Sequence, residues 1–403
     1  ATENTAVGHQ ALYLNTTGYH NTALGRDALR ANTTASSNTA IGRYCMGANT
    51  TGENNTAVGQ SALSSNTTAD NNTAVGMAAM TANTTGTRNT AVGDNALSAN
   101  TTASDNTAIG SYALDANTTG ANNTVVGSDA LKTNTTGSHN VAIGLNALET
   151  SNASNNVAIG VDAGRLTTTG TPNVFIGRSA GESNTTGNNN TAVGAYALDA
   201  NTTGYDNTAM GAGSLSACVT GMGNAVLGSY CARLVTGSGN VAIGRDALYT
   251  GDACNYNVAI GYHAGNDITT GSANIAIGDE CFAKLTTASN NTAVGSNAAY
   301  SMTTGHSNVF MGRYVAKDMD TGVGNVGVGF YALSSDQNGT TDGDYNTCVG
   351  YDCGKKISTG HYNTALGAYA GTAVTTGATN VFVGMNVGNA VSGGSNNTFM
   401  GMD

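Results

Sequence analysis

Asn140-Val141-Ala142-Ile143-Gly144 is followed sixteen residues later by Asn156-Val157-Ala158-Ile159-Gly160, and the same five residues return at 240–244 and 257–261. Relaxed to Asn-x-x-aliphatic-Gly, the pattern begins at Asn4, recurs at Asn21, Asn38, Asn55, Asn72 and Asn89, and continues to Asn397 in 24 copies. Of the 23 intervals, 20 are seventeen residues, two are sixteen and one is twenty-one, so one period organises the whole chain. A fixed period of this size marks a stacked array in which neighbouring units bury a shared core.

With Asn as slot 1, slot 5 is Gly in every copy, beginning with Gly8, Gly25, Gly42 and Gly59, and slot 4 is always Val, Ile, Leu or Met. Slot 2 is Thr or Val in all but two copies, and slot 3 is usually Ala, with Phe175, Phe310, Phe382 and Phe399 as large exceptions. Such a stretch suits a strand that the Gly ends, and no window carries a 3.6-residue period over helical length. The expected fold is all-β: a parallel β-solenoid (β-roll) of about 24 seventeen-residue coils. It forms a single repeat array over 1–403 with a short loop insertion at about 335–345. At a strand spacing of ~4.8 Å the stack would be on the order of 115 Å long. The Asn column is expected to hydrogen-bond along the stack, and the Gly column to mark a tight corner.

Packing and surface follow from the remaining slots. Where slot 9 shrinks to Gly, slot 12 usually becomes apolar, as in Gly265 with Ile268 and Gly354 with Ile357, although Gly181 with Asn184 breaks the rule. The two slots are expected to fill one core volume. All 17 Tyr fall in slots 6, 7, 10, 16 or 17, which marks those slots as the solvent face. A strand apolar on both faces should be covered on both. We expect slots 2 and 4 to line the coil interior, and slot 3 to face a partner copy.

Composition narrows the function classes. Hydrophobic residues make up 39% and net charge is −11, which is too apolar and too weakly charged for disorder. Only 14 Lys and Arg are scattered along the chain, so no nucleic-acid partner is expected. No apolar run reaches membrane-helix length, so no membrane segment is expected in this chain. The chain has no initial Met or signal segment and runs from slot 15 to slot 7 without capping sequence. A piece of a longer fibre, or a subunit whose ends stack into a filament, is therefore expected.

The N-V-A-I-G segments resemble the head repeats of trimeric autotransporter adhesins and the related repeats of some phage and virus fibres. The resemblance covers the whole chain through about five to nine slots of each repeat, and the repeat here is longer by an outer Asn-Thr-Thr-Gly segment. It implies a left-handed parallel β-roll assembled as a homotrimer, extracellular on a cell or virion surface, that binds a host-surface glycan or protein.

Candidate chemistry is sparse. Cys45, Cys231, Cys281 and Cys353 occupy slot 8 and Cys348 slot 3, where other copies carry small residues, so they read as core. Cys218 and Cys231 are adjacent-coil candidates for a bridge. The six His lie in variable slots far apart, no spacing matches a zinc site, and no catalytic constellation converges, so the chain is read as not an enzyme. The insertion carries oxygen donors at Asp336, Asn338, Asp342 and Asp344, loosely calcium-like but without a terminal Glu, and a plain polar loop is the favoured reading over a calcium site. No other cofactor is expected. The Asn-x-Thr triplets, such as Asn15-Thr16-Thr17, are glycan acceptors if the chain passes a glycosylating route, and turn formers otherwise. Tyr44, Tyr112, Tyr196, Tyr230, Tyr314, Tyr331 and Tyr369 share slot 7 and form a candidate surface-binding strip.

The expected function is a structural and adhesive fibre in which repetition makes weak contacts multivalent. The alternatives are an ice-binding solenoid with Thr arrays, disfavoured if slot 2 points inward with slot 4, and a subunit of a polymerising filament.

Overall fold

The computed structural model describes residues 2–335 and 342–402. Their regular secondary structure is 24 three-residue strands, from β1 (Thr5–Val7) to β24 (Thr398–Met400), each occupying slots 2 to 4. The chain divides into two compact units, Ala1–Thr203 and Gly204–Asp403. The first carries β1 to β12 (Thr191–Val193), the second β13 (Thr208–Met210) to β24. Within each unit successive strands pair in parallel and in register, as Thr73, Ala74 and Val75 do with Thr90, Ala91 and Val92. Each unit is a parallel β-solenoid with one coil per repeat.

The slot-1 amide closes the coil. Asn38 donates Nδ2–H to the slot-15 carbonyl of Gly52 across its own coil (2.9 Å), and its Oδ1 accepts the backbone N–H of Asn55 in the next coil (2.9 Å). Where slot 12 is also Asn, a second file forms. Asn49 donates to the same Gly52 carbonyl (2.9 Å) and to Oδ1 of Asn32 one coil back (3.2 Å). Both Asn are fully buried. Buried polar groups survive only when paired, and here the amides pair with backbone that would otherwise be orphaned at the turn. The outer segment is tied too, because the Thr16, Thr50 and Thr84 hydroxyls donate to the slot-13 carbonyls of Thr33, Thr67 and Thr101.

The turns depend on positive φ. Slot-5 Gly lies near φ +135°, and a Cβ on Gly93 would stand 2.4 Å from the Gly110 carbonyl oxygen, so both conformation and contact demand glycine. Slots 7, 9 and 17 are left-handed, as at Tyr44, Met46 and Ser37. A left-handed Leu such as Leu29 costs about 1–2 kcal/mol. Burying the side chain returns about 1.5–3 kcal/mol, so burial holds the turn.

One expectation is reversed. Slot 3 points into the coil: Ala40, Ala74 and Phe175 are fully buried, while slots 2 and 4 face outward, with Leu24 46% and Leu227 50% exposed. The reason is parity. Slot 1 is inside, and a strand alternates faces, so slot 3 must be inside as well. The core volume rule extends accordingly. A Cβ on Gly265 would lie 3.0 Å from Ile268 Cδ1, which places slots 9 and 12 side by side. The Gly181 exception belongs to slot 3, since its Cβ would stand 2.3 Å from the Phe175 ring, and a Cβ on Gly164 would stand 2.6 Å from that ring's other edge. Phe382 likewise lies against Gly371 and Gly388, and Phe310 has Ala316 at slot 9 of its own coil and Ala299 at slot 9 of the preceding one.

Two substitutions test this account. Asn89→Ala removes the amide that donates to the Ala103 carbonyl and accepts from the Asn106 N–H. It is expected to lower urea-unfolding stability by about 2–3 kcal/mol. Gly93→Ala is expected to cost about 3 kcal/mol or more. Gly120→Ala at slot 15, where a Cβ would stand 2.2 Å from the Gly137 carbonyl oxygen, should also destabilise, but by less than Gly93→Ala, since Ala35 and Ala103 occupy that slot in other coils and the backbone there is not held at positive φ.

Candidate functional site

The left-handed residues at slots 7 and 9 turn slot 8 inward and leave slots 6, 7 and 10 along one outer edge. Among the slot-7 tyrosines, Tyr44, Tyr112, Tyr196 and Tyr230 each stand with their own cation. Arg43 lies 4.7 Å from the Tyr44 ring, Lys132 5.0 Å from Tyr112, Arg178 5.5 Å from Tyr196 and Arg233 5.3 Å from Tyr230. Arg43 also donates a hydrogen bond to the Tyr44 hydroxyl and, with the nearby Arg26 charge, holds it below the usual phenol range. Open grooves flank two of these rings. One, of about 420 Å³, is lined by Arg26, Asp27, Arg30 and Tyr44, and another, of about 360 Å³, by Tyr230, Arg233, Asp246, Tyr249 and His263.

Tyr314, Tyr331 and Tyr369 behave differently. Tyr314 stacks on Tyr331 with centroids 5.0 Å apart. Phe330 at slot 6 packs edge-on to Tyr331 and stacks on Tyr351 at 5.5 Å, and Tyr351 meets Tyr369 at 5.3 Å. The structure thus joins three slot-7 rings through two slot-6 rings that the slot-7 reading missed. Aromatic residues at slot 6 in successive coils, Phe330 and Tyr351, were the signal. Arg313 and Lys317 lie over Tyr314 at 4.6 and 5.3 Å, and Lys355 over Tyr331 at 5.1 Å.

The second outer surface is the sheet face of slots 2 and 4. In each unit it presents twelve Thr, Val, Ile or Ala at slot 2 and twelve aliphatic residues or Met at slot 4, without one charged side chain. A three-residue strand is about 10 Å wide, so twelve strands at ~4.8 Å make about 500 Å² per unit.

The other candidates carry structural duties. Asp342 accepts the N–H groups of Asp320 and Thr321, and Asp344 accepts that of Val323, while Asp336 and Asn338 lie outside the described residues. No group of three His, Cys, Asp or Glu converges to hold a metal among the described residues, and no helix there is long and apolar enough to cross a membrane. Slot-12 Asn in the Asn-x-Thr triplets, Asn32 to Asn134, is buried in the second amide file and closed to a glycan once folded. All seven Cys are buried free thiols, Cys218 and Cys231 included. Three of them, Cys45, Cys281 and Cys353, donate S–H to slot-3 carbonyls of the next coil.

A scan against protein-family models found no match to this sequence, and a search of curated proteins found none either.

The thiols give a pH prediction. Burial pushes Cys45, Cys231 and Cys281 up to about 12 and Cys218 and Cys254 up to about 11. A folded value above the unfolded one of about 8.5 means that the thiol contribution is intact below that pH and is lost as pH rises toward the folded values. Urea midpoints are expected to hold flat from neutral pH to about 8 and to fall above about 9. At pH 8 a thiol-reactive chromophore should modify fewer than one Cys per native chain and all seven in denaturant.

Proposed function

We propose that the chain is a non-enzymatic structural and adhesive fibre segment, extracellular on a cell or virion surface, that assembles with copies of itself and attaches through its aromatic edge. The observation that carries this reading is the uncharged, outward sheet face. A soluble surface normally mixes charges into every exposed patch, and continuous apolar patches of several hundred Å² mark interaction surfaces. Two such faces in contact would bury about 1,000 Å² per unit pair, within reach of a stable interface. A second copy is the natural occupant, since a face of repeated identical steps is complementary to itself in register. The resemblance to adhesin heads supplies the number three. Repetition along the edge gives many weak contacts whose avidity exceeds any single affinity.

One observation favours a second reading. Thr5 to Thr124 put eight successive Thr at outward slot 2, so the Thr file does not point inward as the sequence suggested. A flat Thr file is the requirement for ice binding. The second unit argues against it, because Ala225, Val241, Val258, Ile275, Val309, Val326 and Val381 replace Thr there and Leu227, Met311 and Leu366 protrude beside them. That surface suits burial against protein better than a water lattice.

Light scattering decides between the two. The expected mass is three chains, and Val75→Lys with Ile243→Lys, which place charge on the face of each unit, should reduce it to one. A wild-type monomer that slows ice growth would support the second reading and overturn the first.

A further inference from the structure

We infer that the ring ladder of the second unit is a binding site for a linear neutral glycan of extended, β-linked hexose units, laid along the coil axis with one sugar per coil. This deepens the adhesive reading above by naming what the edge attaches to.

The argument rests first on spacing. Tyr314 and Tyr331, Phe330 and Tyr351, and Tyr351 and Tyr369 are separated by 5.0, 5.5 and 5.3 Å, one step per coil over four coils. With the sideways offset between successive rings added to the ~4.8 Å coil spacing, these ring-to-ring steps are close to the advance of one hexose along an extended β-linked chain. An extended peptide does not fit, because side chains on one face recur every ~6.6–6.8 Å. The second point is chemistry. Tyr351 and Tyr369 are 46% and 40% exposed, so each offers an apolar ring and a hydroxyl together, the combination a pyranose needs for its C–H face and its hydroxyl rim. Gathering five rings at one place also separates this stretch from the lone Tyr–cation pairs elsewhere.

Third, a polar acceptor waits beneath the rings. Asp352 occupies slot 7 in the coil between Tyr331 and Tyr369 and is 8% exposed. Its Oδ2 accepts from Lys355 Nζ at 3.2 Å, and its Oδ1 has no hydrogen-bond partner among the described residues. A buried carboxylate oxygen without a donor is unfavourable. A sugar hydroxyl donating to that oxygen would satisfy it while Lys355 keeps its bond to Oδ2. The Asp352 charge, followed by burial, already holds the Tyr351 hydroxyl proton more tightly than usual, so that hydroxyl stays a donor. The same carboxylate, with Asp318 on the coil of Tyr314 and a net charge of −11, disfavours an acidic polymer, and Arg313, Lys317 and Lys355 are already placed over the rings.

The test is saturation-transfer NMR on the full chain with soluble dimers, tetramers and hexamers of β-linked glucose, mannose and N-acetylglucosamine, and with heparin as the acidic probe. At least one neutral hexamer should receive saturation at its C–H protons and bind more tightly than its dimer. Tyr351→Ala, Tyr369→Ala and Asp352→Asn should each weaken it about tenfold. Tyr256→Ala, an exposed ring at slot 17 and so off the edge of slots 6, 7 and 10, should leave it unchanged, and circular dichroism checks that each variant keeps its fold. No transfer to any neutral hexamer, binding indifferent to the ladder variants, or stronger binding of heparin overturns the proposal. Failure here with a three-chain mass leaves the fibre reading standing. Sugar binding by a single-chain species sinks the assembly and keeps the glycan site.

Discussion

The amide of slot-1 Asn is the constraint on which the rest depends. A coil of seventeen residues has to return to its start, and it has to leave the slot-1 N–H of the next coil, which is buried, with an acceptor. Asn38, Asn72 and Asn106 each reach across to the slot-15 carbonyl at 2.9 Å and offer Oδ1 to the next backbone N–H. One side chain therefore closes its own coil and registers the following one. No apolar residue does either, and Asp lacks the donor. The energetic stake is high because the groups are fully buried, where each broken pair leaves an orphan costing about 1–3 kcal/mol.

That same residue explains how much of the fold was legible and where the reading slipped. Period, strand position, the Gly corner and the outward Tyr slots follow from the repeats alone, because each coil is an independent trial of the same packing problem. The inside of the strand was misassigned because Val and Ile look more like core than Ala does. The decisive evidence was already in slot 1: if Asn is inside, period two puts Ala inside with it. Small residues fill slot 3 because the interior is narrow and Leu from slot 9 occupies it. Phe175 enters only where Gly164 and Gly181 make room. The pairing of slot-3 Phe with small slot-9 residues was visible in the letters, but only a geometry that places the two slots against each other gives it meaning.

Function was less legible for a physical reason. A solenoid spends its invariant slots on its own backbone, so what repeats most strictly, Asn and Gly, is what the fold needs. Site information lies in the slots that vary, where no internal comparison separates use from tolerance. The seven slot-7 tyrosines looked equivalent by column. Three dimensions divide them into four rings paired with cations and three joined with Phe330 and Tyr351.

The pitch of the stack then becomes a property of the surface. Backbone hydrogen bonds of 2.7–2.9 Å between coils, such as Gly312 to Val294, Gly329 to Met311 and Gly194 to Ile176, hold successive outer slots at one fixed step. Any side chain repeated in one slot is therefore presented as a ruled line, with little entropy left to lose when a ligand meets it. A partner that itself repeats at the same step gains contacts in proportion to its length, and a partner of another step drifts out of register after a few coils. Selectivity for a repeating ligand thus comes from the backbone, and the side chain at the ruled slot sets only its chemistry. The sheet face obeys the same rule, since its own repeat is the one surface guaranteed to match it at every step.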